Sequence, residues 1–269
     1  MTRVACIQMA SGPAVSANLL EAERLISIAV QEQAGLVILP ENFAIMGETA
    51  EDTRAEKEQI GDGPIQTFLA AQAKRHGIWI VGGTIPIASD DPSRIRAASL
   101  LFNDQGQMVA RYDKIHLFDV SIVDSNEKYS ESETIERGNE VVVVDTPFGK
   151  LGIAVCYDLR FPEQFRSMLD KGVEIIVLPS AFTAETGRSH WDPLIKARAI
   201  ENLSYVVAAA QGGFHVNGRE TYGHSMIVDP WGNMLVQRPG GTGVVCADID
   251  LDRLHHVRKV FPCVDHRVI

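Results

Sequence analysis

The chain is poor in features that mark several classes of protein. Its 269 residues hold 25 lysines and arginines against 35 acidic residues, giving a net charge of −10, whereas general nucleic-acid or acidic-membrane surfaces need clustered cations. No apolar run reaches membrane-spanning length, and MTRVACIQMA turns polar before a signal-type run develops. We therefore predict a cytoplasmic protein that binds neither nucleic acid nor membrane, although a local Arg or Lys could hold an anionic substrate.

Cysteine is also scarce, at four residues, and none form a CxxC pair. Their long spacings lack a zinc-site pattern, and a disulfide framework is not expected in a reducing compartment. Cys6 and Cys246 lie in apolar, strand-like runs and are interpreted as small buried hydrophobes, while the pattern assigns no role to Cys263. Cys156 is different, because GIAVCYDLRFPE places it where an apolar run ends and charges follow at once.

Strand-like and helix-like segments alternate along a chain whose hydrophobic content of 45% is ordinary for a globular protein. RVACIQM, LVILP and IWIVGGTI are strand candidates, and SLLFNDQGQMVARYDKIHLF reads as a hairpin. Two helices are predicted for this half. One covers 16–34, with Gly35 as its C-cap, and the other runs from Pro64 to the residue before Gly77.

The same order returns in the second half. KLGIAVCYD, EIIVLPSAF and SYVVAAAQGG are strand candidates, and HSMIVDPWGNMLVQR is another hairpin. Helices are predicted from Pro162 to before Gly172 and from Trp191 to Asn202. No Gly/Ser/Pro-rich linker separates the halves, so we predict one α/β domain over 1–269, with two similar halves. Two sheets packed face to face, with helices outside both, would form a four-layer αββα sandwich.

Three polar residues stand at strand ends, where sites gather in such sheets. They are Glu41 after LVILP, Lys114 at the end of the first hairpin, and Cys156 after GIAV. Each has an ordinary alternative: a solvated carboxylate, a charge protecting an edge strand, or a buried thiol. Together, however, they supply what acyl transfer requires.

The chemistry follows from the residue types. A thiol attacks only as thiolate, which needs a base or a positive field. A partly buried carboxylate such as Glu41 can accept the proton, although His116 or His224 could also be brought close by folding. Lys114, with the backbone N–H of Tyr157, could stabilise the oxyanion, an effect of roughly 3 kcal/mol per good donor.

The segments LPENF, RYDKIHLFD and GIAVCYDLRFPE resemble the three signature segments of the nitrilase superfamily, the carbon–nitrogen hydrolases. The resemblance runs from Val4 to about residue 266 and preserves the family's order of Glu, Lys and Cys. It implies an αββα sandwich with neither metal nor organic cofactor. It also implies that Cys156 is the nucleophile, Glu41 the general base and acid, and Lys114 the oxyanion stabiliser.

The family often has a further glutamate between its Lys and Cys segments. YSESETIERG offers Glu131 and Glu133, and the family pattern favours Glu131, which would orient Lys114 and the substrate. The alternative is an exposed acidic loop. The sequence leaves open whether the surrounding acidic segment, 124–140, gates the pocket.

Two further segments, PSAFTAETGRSHWDPLIKARAIENLSYVVAAAQGG and YGHSMIVDPWGN, resemble the branch of the family that hydrolyses deaminated glutathione to 2-oxoglutarate and Cys-Gly. Alternatives are an omega-amidase acting on 2-oxoglutaramate, another small-amide or carbamoyl hydrolase, and a non-catalytic thiol redox sensor or small-molecule binder. The only partners predicted are a small amide substrate and further copies of the chain, in a homodimer or higher homo-oligomer, by analogy with relatives.

An anionic substrate of this kind would suit a guanidinium beside the nucleophile. Arg160, four residues after Cys156, could hold a carboxylate bidentately. Alternatively it forms an ion pair with Asp158 or Glu163 that only fixes the loop. Further candidates for the pocket wall, just past the second LP-type strand, are Phe182 and Thr183.

Overall fold

Two mixed β-sheets, of seven and six strands, form the centre of the computed structural model, which describes residues 2–122 and 127–268. The helices are α1 (Val15–Gln31), α2 (Ala50–Ala55), α3 (Pro64–His76), α4 (Pro162–Asp170), α5 (Ala184–Asn202) and α6 (Leu251–Val260). The strands are β1 (Thr2–Gln8), β2 (Leu36–Ile38), β3 (Trp79–Val81), β4 (Ile85–Ala88), β5 (Ile95–Phe102), β6 (Met108–Asp113), β7 (Asp119–Ile122), β8 (Glu127–Ser130), β9 (Val142–Thr146), β10 (Gly149–Ile153), β11 (Ile175–Val177), β12 (Tyr205–Ala208), β13 (Gly212–Phe214), β14 (Glu220–Tyr222), β15 (Ser225–Val228), β16 (Met234–Arg238) and β17 (Gly243–Ile249).

The two sheets share one arrangement of strands. The first has the order β17-β1-β2-β3-β5, with β4 and β6 also paired to β5, and the second has the order β9-β10-β11-β12-β15-β16. In each, three neighbouring parallel strands are flanked by antiparallel ones. The predicted similarity of the two halves is therefore confirmed. The first sheet nevertheless takes β17 from near the carboxyl end of the chain, since β17 pairs with β1.

Side-chain alternation on β1 shows how the layers form. Val4 and Cys6 pack into the core between the sheets, whereas Ala5 and Ile7 pack on the other face with residues of α1 and α3. Residues of α4 and α5 join the core of the second sheet. At Gly152 on β10, a Cβ would lie 2.9 Å from the Met168 sulfur of α4 and from a Val173 methyl, so a larger residue would displace these side chains. The sandwich has the predicted αββα order.

The ends of the first-half helices were predicted with mixed success. Helix α3 runs from Pro64 to His76, and Gly77 adopts the left-handed conformation at φ 62°, as expected. Helix α1 ends at Gln31, and the prediction that Gly35 caps it is wrong. Gln33 takes the left-handed conformation instead, at φ 65°, while the N–H of Gly35 donates to the carbonyl of Arg3 and starts β2.

Two second-half boundaries also differ from the prediction. Helix α5 starts at Ala184 rather than Trp191, because Thr183 caps it by accepting a hydrogen bond from the Thr186 N–H, 3.4 Å away. The strand predicted to run through KLGIAVCYD stops at Ile153, and residues Cys156–Arg160 form a 3₁₀ turn. The nucleophile candidate therefore lies on a turn, beyond the end of its strand.

Within the described part of the chain, no helix has both the length and the apolar character needed to cross a bilayer. Nor do three or more His, Cys, Asp or Glu side chains of residues 2–122 and 127–268 converge as metal ligands would. The acidic segment 124–140 lies partly outside the described residues, so its suggested gating of the pocket stays a question. Cytoplasmic location and homo-oligomeric assembly stay predictions.

Candidate active site

The sheets bring the three strand-end residues together at one edge. Glu41 follows β2, Lys114 directly follows β6, and Cys156 opens the turn after β10. β2 and β10 belong to the parallel parts of the two sheets, whose carboxyl ends face the same side of the sandwich, where sites are expected. All three side chains are buried, at 3%, 1% and 8% exposure respectively.

Lys114 is the centre of a contact set that the sequence suggested only in part. Its ammonium donates to Glu41 Oε1 at 2.8 Å and to both carboxylate oxygens of Glu131, at 3.0 and 2.8 Å. The Phe118 N–H also donates to Glu131 Oε2, at 2.9 Å. Glu131 therefore contacts the ammonium that it is predicted to orient, while Glu133 has an exposed side chain. The alternative of a solvated loop carboxylate does not describe Glu131.

Glu41 is fixed by contacts on both sides of the sandwich. Its second carboxylate oxygen, Oε2, accepts the backbone N–H of Ala181 at 2.8 Å. Its backbone carbonyl accepts the Gln211 side chain, with Nε2 at 3.0 Å. Hydrogen bonds from an ammonium and from a backbone N–H together fix the orientation of the Glu41 carboxylate.

The backbone at Cys156 is held in an unusual conformation. Its φ is 45°, in the left-handed region that non-glycine residues rarely occupy, and its N–H donates to the carbonyl of Pro179 at 2.9 Å. Such outliers cost about 1–3 kcal/mol and collect at functional sites. The observation supports a turn shaped to present the thiol.

A buried carboxylate braces this turn. Asp158, fully buried, accepts hydrogen bonds from the Tyr112 hydroxyl at 2.6 Å and from the Val155 N–H at 2.8 Å. It also accepts the His116 N–H at 3.1 Å and contacts His116 Nδ1 at 2.7 Å. Tyr112 and His116 flank Lys114 in sequence. Asp158 thus ties the segment that carries Lys114 to the turn that carries Cys156.

The thiol opens onto a small, narrow cleft. The cleft brings together all of the predicted site residues except Lys114, which lies behind the wall and contacts Glu41 and Glu131. Residues of the first and second halves both contribute. They are Glu41, Phe118, Glu131, Cys156, Tyr157, Arg160, Ala181, Phe182, Thr183, Thr186 and Arg219.

Burial and neighbouring charges set the protonation of the site. Burial, reinforced by the negative charge of Glu41, raises the pKa of the Cys156 thiol well above its usual range, although Lys114 opposes this shift. For Lys114, burial favours the neutral amine, but the charges of Glu131 and Glu41 outweigh it and raise its pKa. The resting site therefore holds a neutral thiol beside an ammonium shared by two carboxylates. It can move a proton from sulfur to Glu41 as a bond forms.

The predicted pocket residues lie where expected, but Arg160 differs in its partners. No carboxylate within the described ranges pairs with its guanidinium, so the alternative of an ion pair with Asp158 or Glu163 is wrong. The guanidinium instead contacts His190 Nδ1 at 3.2 Å and lies 5.0 Å from the ring centroid of Phe182. The carboxylate of Asp158 instead accepts hydrogen bonds from Tyr112, Val155 and His116.

The remaining pocket residues have double roles. Phe182 lines the cleft and also packs against the core ring of Trp191, with centroids 5.1 Å apart. Thr183 lines the cleft while capping α5. Tyr157 lines it with its ring edge-on to Phe118, at 5.0 Å between centroids. Each of these three side chains therefore makes a fixed contact within the protein and also lines the cleft.

Neither alternative histidine is placed as a base for the thiol. His116 bonds to Asp158 and stacks on Phe161, with centroids 3.7 Å apart. His224 contacts the carbonyl of Tyr222 through Nδ1 at 2.8 Å and stacks on that ring. Both lie outside the set of residues that line the cleft.

Arg219 is the main residue that the sequence did not suggest. It follows the Asn-Gly turn of the β13–β14 hairpin, lines the cleft, and donates to the carbonyl of Ala181. Its positive charge lowers the pKa of Cys156, against the larger effect of burial. A turn residue between two short strands gives no sequence signal of this position, because the hairpin reaches the cleft only through tertiary packing.

Comparison with known proteins places this arrangement in context. The family model described as carbon-nitrogen hydrolase matches residues 3–259. A protein of Yersinia enterocolitica named deaminated glutathione amidase is 43% identical over 266 residues, which is 98% of this chain and 92% of the relative.

Two solved structures have the same fold and are more than 30% identical in sequence to this chain. The NitFhit protein of Caenorhabditis elegans matches with a TM-score of 0.92 and 35% identity, over 99% of this chain but only 65% of that longer protein. Nit3 of Saccharomyces cerevisiae, described as a member of branch 10 of the nitrilase superfamily, matches with a TM-score of 0.89 and 31% identity, over 100% of this chain and 97% of that one.

Proposed function

We propose that this chain, which belongs to the carbon–nitrogen hydrolase family and is an enzyme of that class, hydrolyses the amide bond of deaminated glutathione through a thioester on Cys156. The observation that carries the reaction is the buried contact of Lys114 with Glu41 and Glu131 beside a cleft that also contains the thiol. The substrate rests on the name of the Yersinia enterocolitica relative, at 43% identity over almost the whole chain.

The first step transfers a proton and forms a carbon–sulfur bond. Because the resting thiol is neutral, its proton passes to Glu41 while sulfur attacks the amide carbon. Glu41 is oriented for this by the Lys114 ammonium and the Ala181 N–H. The carbonyl oxygen takes up the electron pair of the broken C=O π-bond and becomes an oxyanion.

The oxyanion is stabilised by charge and by a free amide. The backbone N–H of Tyr157, in the turn directly after the nucleophile, donates to no acceptor among the described residues and is available. The three protons of the Lys114 ammonium face three carboxylate oxygens, two of them on Glu131. Lys114 acts through its charge, or by exchanging one of its two bonds to Glu131 for the oxyanion.

The intermediate then collapses. Glu41 returns its proton to the leaving nitrogen, the C–N bond breaks, and the amine of Cys-Gly departs. Glu41 next accepts a proton from water, whose oxygen attacks the thioester. The C–S bond breaks, the sulfur regains a proton, and 2-oxoglutarate is released.

Arg160 supports recognition of the acyl group. Its guanidinium lines the cleft, held against the ring of Phe182 and the imidazole of His190, and it lacks a carboxylate partner within the described residues. A guanidinium prepared in this way can hold the 2-oxo acid carboxylate of the substrate bidentately.

The test is hydrolysis of deaminated glutathione, followed by release of 2-oxoglutarate and Cys-Gly. Wild type should turn over, Cys156→Ala should lose turnover, and intact-mass measurement during turnover should detect an acyl group on Cys156. A matched control is Cys263→Ala, since Cys263 lies in the carboxyl-terminal tail, outside the cleft.

Two outcomes would contradict the proposal in different ways. Full turnover by Cys156→Ala would exclude the thioester. A clear preference in kcat/KM for 2-oxoglutaramate over deaminated glutathione would instead favour an omega-amidase with the same mechanism.

A further inference from the structure

A second, larger depression adjoins the catalytic cleft. This outer groove is formed by 42–53, by 128–135 with Ile95, and by 217–219, and has a volume of about 540 Å³. It shares Glu131 and Arg219 with the cleft, so the two spaces have a common wall. Ligand sites typically measure about 300–1,000 Å³, so the groove falls within that range, whereas the cleft alone, at about 10 Å³, falls far below it.

The groove wall is built from fixed polar contacts. The Asn217 amide donates to the carbonyl of Gly47 at 3.1 Å, and its oxygen accepts the Arg219 N–H at 3.0 Å. The Arg219 guanidinium lies 5.1 Å from the ring centroid of Tyr129. Its Nε is buried and has no hydrogen-bond partner among the described residues, while the residue itself lines both the cleft and the groove.

The groove also carries an available positive charge. Lys128 is exposed on its wall and forms no ion pair with any side chain that the structure describes. Glu48, also exposed, lies on the wall with the opposite charge. Glu131, also on the wall, is paired with Lys114. The groove thus has two cations, Lys128 and Arg219, that pair with no carboxylate among the described side chains.

The order of bond breaking decides which part of a substrate lies outside the cleft. The acyl half remains attached to Cys156 after the C–N bond breaks, so it must fit the cleft beside the sulfur. The amine half must leave, and it extends from the attacked carbon toward open space. Ammonia as leaving group needs no such space, whereas a dipeptide does.

We infer that the outer groove is the binding site for a peptide-like leaving group, with Lys128 pairing with its terminal carboxylate and Arg219 donating to its peptide carbonyl. The inference rests on the proposed function, and it makes Lys128 a specificity-determining residue. Lys128 distinguishes an amide with an anionic dipeptide as leaving group from the same acyl group carried as a simple amide.

The experiment compares two substrates that share an acyl group, deaminated glutathione and 2-oxoglutaramate. Lys128→Ala should lower kcat/KM for deaminated glutathione by roughly fivefold, the upper range for an exposed ion pair, and leave 2-oxoglutaramate unchanged. Glu48→Gln should act in the opposite direction on the dipeptide substrate alone. Lys259→Ala, an exposed lysine of α6 outside cleft and groove, is the matched control.

A change in the substrate completes the test. Deaminated glutathione with its terminal carboxylate converted to an amide should be a poorer substrate of the wild type by the same factor, and Lys128→Ala should not distinguish it from the free acid. Added salt should reduce the wild-type preference.

The outcomes separate the two ideas. An unchanged ratio of the two kcat/KM values in Lys128→Ala, with wild type active on deaminated glutathione, overturns the groove assignment and leaves the proposed function standing. An equal loss on both substrates overturns it as well. Absence of wild-type turnover on deaminated glutathione overturns the proposed function and the groove assignment together.

Discussion

Replacing Asp158 with Asn should uncouple the two segments that carry the catalytic residues. The carboxylate accepts from the Tyr112 hydroxyl, the Val155 N–H and two nitrogens of His116, at 2.6 to 3.1 Å. An Asn of the same shape has one acceptor oxygen and one NH₂ donor. Whichever way the amide is turned, its NH₂ faces a buried backbone N–H that needs an acceptor.

The magnitude follows from those contacts. Each hydrogen bond to a charged group contributes about 1.5–3 kcal/mol, and the NH₂ side of Asn loses two of them. We therefore expect Asp158→Asn to lower the free energy of unfolding by roughly 3–6 kcal/mol, a large share of the typical 5–15 kcal/mol. At about 2–4 °C per kcal/mol, a loss of 4 kcal/mol would lower Tm by about 8–16 °C.

Thermal unfolding and steady-state kinetics together check this prediction. At a temperature where the variant remains folded by circular dichroism, kcat should fall by roughly tenfold to a hundredfold, because small displacements of a nucleophile are costly. Asp145→Asn is the control, since the Asp145 side chain is 85% exposed and should change stability by less than about 0.5 kcal/mol. A Tm within about 2 °C of wild type, or full kcat in the folded variant, would refute the brace.

Two further predictions concern the charges around the thiol. Lys114→Met leaves the carboxylates of Glu41 and Glu131 without their shared cation, so kcat should fall by about a hundredfold or more; a variant that keeps a tenth of wild-type kcat would contradict this. Burial and the Glu41 charge raise the pKa of Cys156, so above pH 9 the unfolded chain releases this proton and the folded chain keeps it. Stability should therefore fall as pH rises, by up to about 1.4 kcal/mol per pH unit, and a wild-type minus Cys156→Ala difference that stays flat in urea unfolding to pH 10.5 would show the reasoning wrong.

Local patterns were sufficient where one segment determines its own structure. LVILP forms a buried strand because its apolar residues are covered on both faces, and Pro64 and Gly77 bound α3 because proline fits a first turn and glycine the left-handed exit. The positions of Glu41 and Lys114 followed from the ends of such strands.

Features that depend on partners distant in sequence were not predictable from local patterns. The prediction that Gly35 caps α1 was wrong because the Gly35 N–H donates to the carbonyl of Arg3 at the start of β2. Gln33 takes the left-handed conformation instead. Arg219 belongs to a hairpin that reaches the cleft only because its backbone neighbour Tyr222 pairs with the carbonyl of Phe182. Nothing in the hairpin's own sequence specifies that contact.

The charge balance at the site connects the resting state to the reaction. Two carboxylates share one buried ammonium, so the cluster already carries a net negative charge before the thiol ionises. A thiolate there would add a second net negative charge, which agrees with the raised pKa of Cys156. Sulfur therefore loses its proton only when a carbonyl carbon accepts the electron pair and the new charge moves to the oxyanion. Because oxidation follows thiolate character, the same balance protects the resting thiol and argues against a redox sensor. The raised pKa of Cys156 thus favours proton loss in step with attack on the bound amide.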